Sequence, residues 1–157
     1  MDRRSLLAAF FGLMAALSLW VVLSLQFPYN IDGFGIVSNR DNTIVVKDGD
    51  IEYYNATSHD LVLTRACVER LMENGHIVGP FTIKVGGEDV LNGIFVPPIT
   101  SRSYPSSQVV IIYPSFDSNY GMMRIQMGYP WDEAVGQDPR DYPRISQYFE
   151  ATHRLVQ

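Results

Sequence analysis

The chain has 157 residues, with 12 basic against 17 acidic side chains, 46 % hydrophobic residues and a single cysteine, Cys67. That composition excludes an intrinsically disordered chain, and one cysteine excludes an internal disulfide and a Cys-based zinc or iron–sulfur centre. One packed domain, or a small domain with an appendage, is expected.

The first element in chain order is apolar. Leu6 to Leu25 reads LLAAFFGLMAALSLWVVLSL, with Ser18 and Ser24 its only polar members. At ~1.5 Å per residue, such a helix is about 30 Å long, the thickness of a bilayer's hydrocarbon core. Residues 1–26 therefore read as a transmembrane signal-anchor helix, with Leu6, Phe10, Leu13, Leu17, Trp20 and Leu25 in the span and the lipid bilayer as its partner. Arg3 and Arg4 precede the run and the next basic residue is Arg40, so the N-terminus is expected in the cytoplasm and the rest of the chain outside it. A cleaved secretory signal, cut after Ala16-Leu17-Ser18, would leave the exposed apolar tail LWVVLSL, and the uncleaved anchor is the better reading. Small residues Gly12, Ala15, Ala16 and Ser18 permit close helix approach, and no ionisable residue lies in the span. Beyond Arg4 the chain carries ten basic and sixteen acidic residues, an acidity that disfavours nucleic acid and anionic lipid surfaces.

In residues 27–157, Thr43 to Lys47 and Asp50 to Tyr54 are β-rich runs separated by Asp48-Gly49, which predicts a hairpin. Thr57 with Asp60 has the form of a capping box, and Leu61, Thr64, Cys67, Val68, Leu71 and Met72 recur at helical spacing, which predicts a helix over about 58–74. Phe81 to Val85 alternates, Gly86-Gly87 turns the chain, and Val90 to Val96 forms the partner strand of a second hairpin, with Gly93 at a bulge or close approach. Thr100 to Ser107 reads as a loop. Gln108 to Tyr113 and Met122 to Met127 read as a further strand pair, and a C-terminal helix is expected from Pro143 with Ile145, Tyr148, Phe149, Thr152, Leu155 and Val156 on its stripe. The order predicts an α+β domain: a mainly antiparallel sheet with one or two helices packed on it.

No motif assembles a catalytic, cofactor or metal site. Cys67 with His76 could form a nucleophilic pair, but Cys67 lies on the apolar stripe of the expected helix and reads as core. His59, His76 and His153 lack metal-ligand spacing, and Met123 and Met127 fall on inward strand positions rather than suggesting a copper site. Asp132, Glu133, Asp138 and Asp141 lack calcium-loop spacing and read as a solvated acidic loop. Asn55-Ala56-Thr57 is a glycosylation sequon. The crowding of Tyr129, Trp131, Tyr142, Tyr148 and Phe149 among prolines and acidic residues is a composition found at protein interfaces, and these five are the candidate partner contacts.

One span followed by a small outer domain resembles the single-span stator subunits of biopolymer-transport and Tol-type complexes, with Thr43 to Leu71 as the hairpin-helix unit and Val109 to Ile125 as the strand-turn unit. Those proteins resemble one another most at an aspartate inside the span, and Leu6 to Leu25 contains none, so their mechanism does not carry over. The expected protein is a non-catalytic accessory subunit of a membrane complex, with other subunits as partners. A membrane-tethered ligand- or peptide-binding module is the alternative, and a tethered hydrolase a third.

Overall fold

The computed structural model describes residues 32–75, 77–97, 99–113 and 121–157. The expected span, Leu6, Phe10, Leu13, Leu17, Trp20 and Leu25 included, lies outside the described residues. No helix among those described is long and apolar enough to cross a membrane.

The fold is a mixed sheet with two helices. Its strands are β1 (Phe34–Ser38), β2 (Thr43–Lys47), β3 (Ile51–Asn55), β4 (Asp60–Leu63), β5 (Gly79–Val85), β6 (Glu88–Val96), β7 (Tyr104–Ile112), β8 (Met122–Tyr129) and β9 (Leu155–Val156), and the helices are α1 (Arg65–Glu73) and α2 (Pro143–Ala151). Strand order is β2-β1-β5-β6-β7-β8-β4-β3-β9. The β6/β7 and β3/β9 pairs are parallel and the other pairs antiparallel. β2 is one edge and β3 lies beside the other, yet only Asp48–Asp50 joins them. Three residues span little more than ~10 Å, so the sheet curls until its two ends face each other.

Aromatic and aliphatic side chains fill the curl: Phe34, Ile36, Tyr54, Phe81, Ile83, Phe95, Ile111, Met123, Ile125 and Phe149 are buried in one cluster. α2 closes it. Phe149 packs on Phe34 of β1 at 5.1 Å and on Tyr54 of β3 at 5.2 Å between ring centroids, so one helix side chain bridges the two ends of the sheet. Complete burial of such a ring stabilises by roughly 2–3 kcal/mol.

The second hairpin forms as expected. Gly86 and Gly87 both take positive φ, which a two-residue turn matching strand twist requires. A Cβ at Gly93 would stand 2.3 Å from the Phe81 ring, so that glycine marks a close approach. The β7/β8 pair also forms, and Met123 and Met127 face the core.

Several expectations are corrected. Asp48-Gly49 makes no hairpin, because Asp48–Asp50 is a 3-10 turn and the flanking strands pair elsewhere, β2 with β1 and β3 with β4. The hairpin-helix unit expected over Thr43 to Leu71 is therefore absent. The helix expected from residue 58 starts at Arg65, capped by the Thr64 side chain, which accepts from Cys67 N at 3.3 Å. Asn55 Oδ1 instead accepts from Thr57 N and Ser58 N, a turn that delivers residues 60–63 to the sheet as β4. Residues 104–107, expected as loop, open β7, with a register irregularity before Val109 that accommodates Pro105. Leu155 and Val156 lie in β9 rather than on the helix, which ends at Ala151.

Candidate functional site

The densest polar constellation surrounds Arg140, in the 3-10 turn Pro139–Asp141 that leads into α2. Asp138 opens this turn by accepting from Arg140 N at 2.8 Å, with Pro139 at its first position. Arg140 is only 7 % exposed. Its Nε donates to Asp138 Oδ1 at 2.9 Å and its Nη2 to Asp138 Oδ2 at 2.6 Å, while Nη1 reaches Asp132 Oδ1 at 2.7 Å and the Ile125 carbonyl at 3.1 Å. Asp132 Oδ1 also accepts from Met127 N at 2.8 Å, and Glu133 N donates to the Met127 carbonyl at 3.1 Å. The bonds to Arg140 hold the Asp138 carboxyl below its ordinary range against the opposing effect of burial. Burial pulls the Arg140 pKa down, but Asp138 and Asp132 outweigh it and the guanidinium stays charged. One buried arginine thus fixes the loop 130–142 to the last strand of its hairpin.

His59 lies beside this knot in the left-handed region, at φ 56°, after the Asn55 turn. Its Nδ1 stands 2.9 Å from the Tyr54 hydroxyl and its Nε2 3.8 Å from Asp141 Oδ1. Burial, then the Arg140 charge, lowers the His59 pKa, and burial raises that of Tyr54. The imidazole is therefore neutral near pH 7, and Tyr54, 1 % exposed, has no substrate-facing surface. Next to it, Asp60 accepts from Arg124 Nε at 2.8 Å and Nη2 at 3.0 Å. Burial acts to raise the Asp60 pKa, but bonds from Arg124 and Ser58 bring it below its ordinary value.

Cys67 is fully buried, 3.4 Å from Arg70 Nη2, and burial raises its pKa, so it is a core thiol and a poor nucleophile. His76, its expected partner, lies outside the described residues. His153 is exposed just after α2. Among the described residues, no group of three or more His, Cys, Asp or Glu side chains is placed to hold a metal ion.

The five aromatic candidates separate. Trp131 and Tyr142 are exposed, at 74 % and 48 %, and flank the Arg140 knot in sequence. Tyr129 is half-buried and pairs with Tyr104 across β7/β8. Tyr148, also half-buried, donates its hydroxyl to Asp48 Oδ1 at 2.6 Å, an oxygen shared with Arg154 Nη2. Phe149 is wholly core and offers a partner nothing. Val135, 80 % exposed on the same loop, escaped the sequence reading because an isolated valine in a polar stretch carries no pattern. Arg140 escaped it as well, and its one signal is the Asp-Pro-Arg-Asp run that makes a capped turn.

A concavity of about 430 Å³ lies between β2 and α1. Ile44, Val45, Leu71, Ile77 and Val78 form its apolar part, and Arg40, Asp41, Arg70 and Asn74 are among its polar lining. Arg70 donates to Asp50 Oδ2 at 2.5 Å and to the Val45 carbonyl at 3.3 Å, so an outward-facing group of edge strand β2 is already satisfied.

Comparison of the chain with protein-family models, with curated proteins and with solved structures found no match. The reading of function therefore rests on the residues themselves.

Proposed function

We propose that the chain is a non-catalytic, membrane-anchored accessory subunit, with residues 1–26 as its anchor and the α+β domain outside the cytoplasm docking on other subunits of a membrane complex. The observation that carries this reading is the division of labour in the loop 130–142. Its ionic groups Asp132, Asp138 and Arg140 are spent on one another, while Trp131, Val135 and Tyr142 stand in solvent. A buried guanidinium with two carboxylates is a costly way to hold a loop, and a loop held in one shape binds without the entropy loss of ordering it. Exposed aromatic side chains on a rigid support are the usual anchors of protein interfaces. The run Leu6 to Leu25, twenty residues with no charge, supports the anchor.

The test is site-specific photo-cross-linking in native membranes from position 131 or 142, with position 52 on β3 as comparison. Capture of one discrete partner from 131 and 142, but not from 52, is expected. Equal labelling from all three positions, or none, would overturn the assignment.

The concavity between β2 and α1 favours a second reading, a tethered module that takes a small ligand or peptide there. A rise in melting temperature with a bound compound, abolished by Leu71→Trp, would support it.

A further inference from the structure

We infer that the loop 130–142 docks on a basic segment of a partner protein, with Trp131 and Tyr142 receiving arginine or lysine side chains and Glu133 and Asp141 supplying their counter-charges. This inference rests on the accessory-subunit reading and adds the chemistry of the partner to it.

The loop carries four carboxylates, Asp132, Glu133, Asp138 and Asp141, against one cation, Arg140. Arg140 is consumed by Asp132 and Asp138. Glu133 has no ion-pair partner among the described residues, and Asp141, with 72 % of its side chain exposed, meets only the neutral His59 imidazole at 3.8 Å. Two uncompensated carboxylates therefore share a short, fixed stretch with an indole and a phenol ring in solvent. Aromatic faces attract guanidinium and ammonium groups, the more strongly as water is excluded, and nearby carboxylates lengthen the reach of that attraction. The same surplus of negative charge repels an anionic lipid surface and any acidic partner face. Glu133 directly follows the pinned Asp132 and Asp141 directly follows Arg140, so their places are set by the knot rather than by the partner.

The test uses the full chain and an arginine–glycine repeat peptide, with a glutamate–glycine repeat as control. The arginine peptide is expected to bind, more weakly as salt rises. Trp131→Ala and the pair Glu133→Lys with Asp141→Lys should each weaken binding about tenfold or more. The pair Glu52→Lys with Glu73→Lys makes the same change in overall charge on exposed sites elsewhere and should leave binding within about twofold. All four positions of the two charge-reversal pairs are on the surface or in large part so, and an unchanged melting temperature confirms that each variant folds. Equal weakening by both pairs would reduce the effect to bulk charge and overturn the inference, as would an absence of binding. Quenching of Trp131 by brominated phosphatidylcholine vesicles, in a Trp20→Phe background, would make the occupant lipid and overturn it too. Cross-linking of a partner from position 131 without affinity for the arginine peptide would overturn the partner chemistry alone. Loss of both would remove the accessory-subunit reading with it.

Discussion

Arg140 and Arg70 each tie together segments that the chain brings from different places, but only Arg140 is removed from water. Its side chain is 8 % exposed against 37 % for Arg70. Arg140 has two carboxylates and a carbonyl around it, whereas Arg70 has one carboxylate, one carbonyl and the Cys67 sulfur. The difference follows the backbone that each arginine serves. α1 and β2 are regular elements whose own hydrogen bonds and apolar contacts fix them, so Arg70 adds a tie to something already built. The loop 130–142 has only a single short 3-10 turn of its own, and a buried guanidinium with fixed fork geometry substitutes for the missing backbone ladder.

Replacing the buried arginine is the strongest way to break this comparison. Arg140→Met leaves Asp138 and Asp132 facing each other without a cation and should destabilise the domain by about 3 kcal/mol, roughly 10 °C in melting temperature. Adding Asp138→Asn to that variant should recover part of the loss, because the orphaned charge accounts for much of it. Thermal unfolding followed by circular dichroism measures both, and an effect as small as that of an exposed ion pair would show that the loop is held by other contacts.

The corresponding change at the half-exposed arginine should cost less. After Arg70→Met, Asp50 Oδ2 still accepts from Lys47 N at 2.9 Å and gains access to water, so a loss of about 1–2 kcal/mol is expected. Urea unfolding gives the value through a shifted midpoint at unchanged slope. A loss equal to that of Arg140→Met would erase the distinction.

How far each region was legible in the sequence follows from the range of its contacts. The Gly86-Gly87 hairpin, the buried Cys67, the inward Met123 and Met127 and the helix from Pro143 were readable because local pattern and final environment agree. Asp48-Gly49 misled because Asp48 answers to residues a hundred positions away: Tyr148 and Arg154 both donate to its carboxylate. Thr57 and Asp60 misled in the same way, since Asp60 is committed to Arg124, 64 residues on. The candidate site was half legible. The crowding of aromatic residues pointed to the stretch that carries the Arg140 knot, while only the fold could sort exposed Trp131 and Tyr142 from buried Phe149, or reveal that an arginine in an acidic run is the residue holding the loop.

His59 sharpens the contrast, because it borders the buried knot. Its pKa is lowered in the folded protein by burial and by Arg140, so the unfolded chain binds the proton more readily. The stability that the neutral imidazole contributes is complete above its unfolded pKa of about 6.5 and is lost as pH falls below that value. His59→Asn, which tolerates the left-handed backbone, should lower stability at every pH yet flatten its decline between pH 7 and pH 5. Unfolding midpoints across that range read the slope separately from the offset. A slope unchanged by the substitution would assign the decline to other groups.

The smallest effect belongs to Arg65, on the exposed face of α1. Its Nε meets Glu69 Oε1 at 2.8 Å, as short as the bonds around Arg140, and the pairing raises the Arg65 pKa. Distance alone would rank the two alike. Arg65 stands in water, however, with 92 % of its side chain exposed, where hydration and side-chain entropy offset nearly all of the attraction and salt screens the remainder. Arg65→Ala should leave the melting temperature unchanged within error, at low and high salt alike. A measurable loss would mean that geometry rather than burial sets the strength of these ties, and the contrast between Arg140 and Arg70 would then need a different cause.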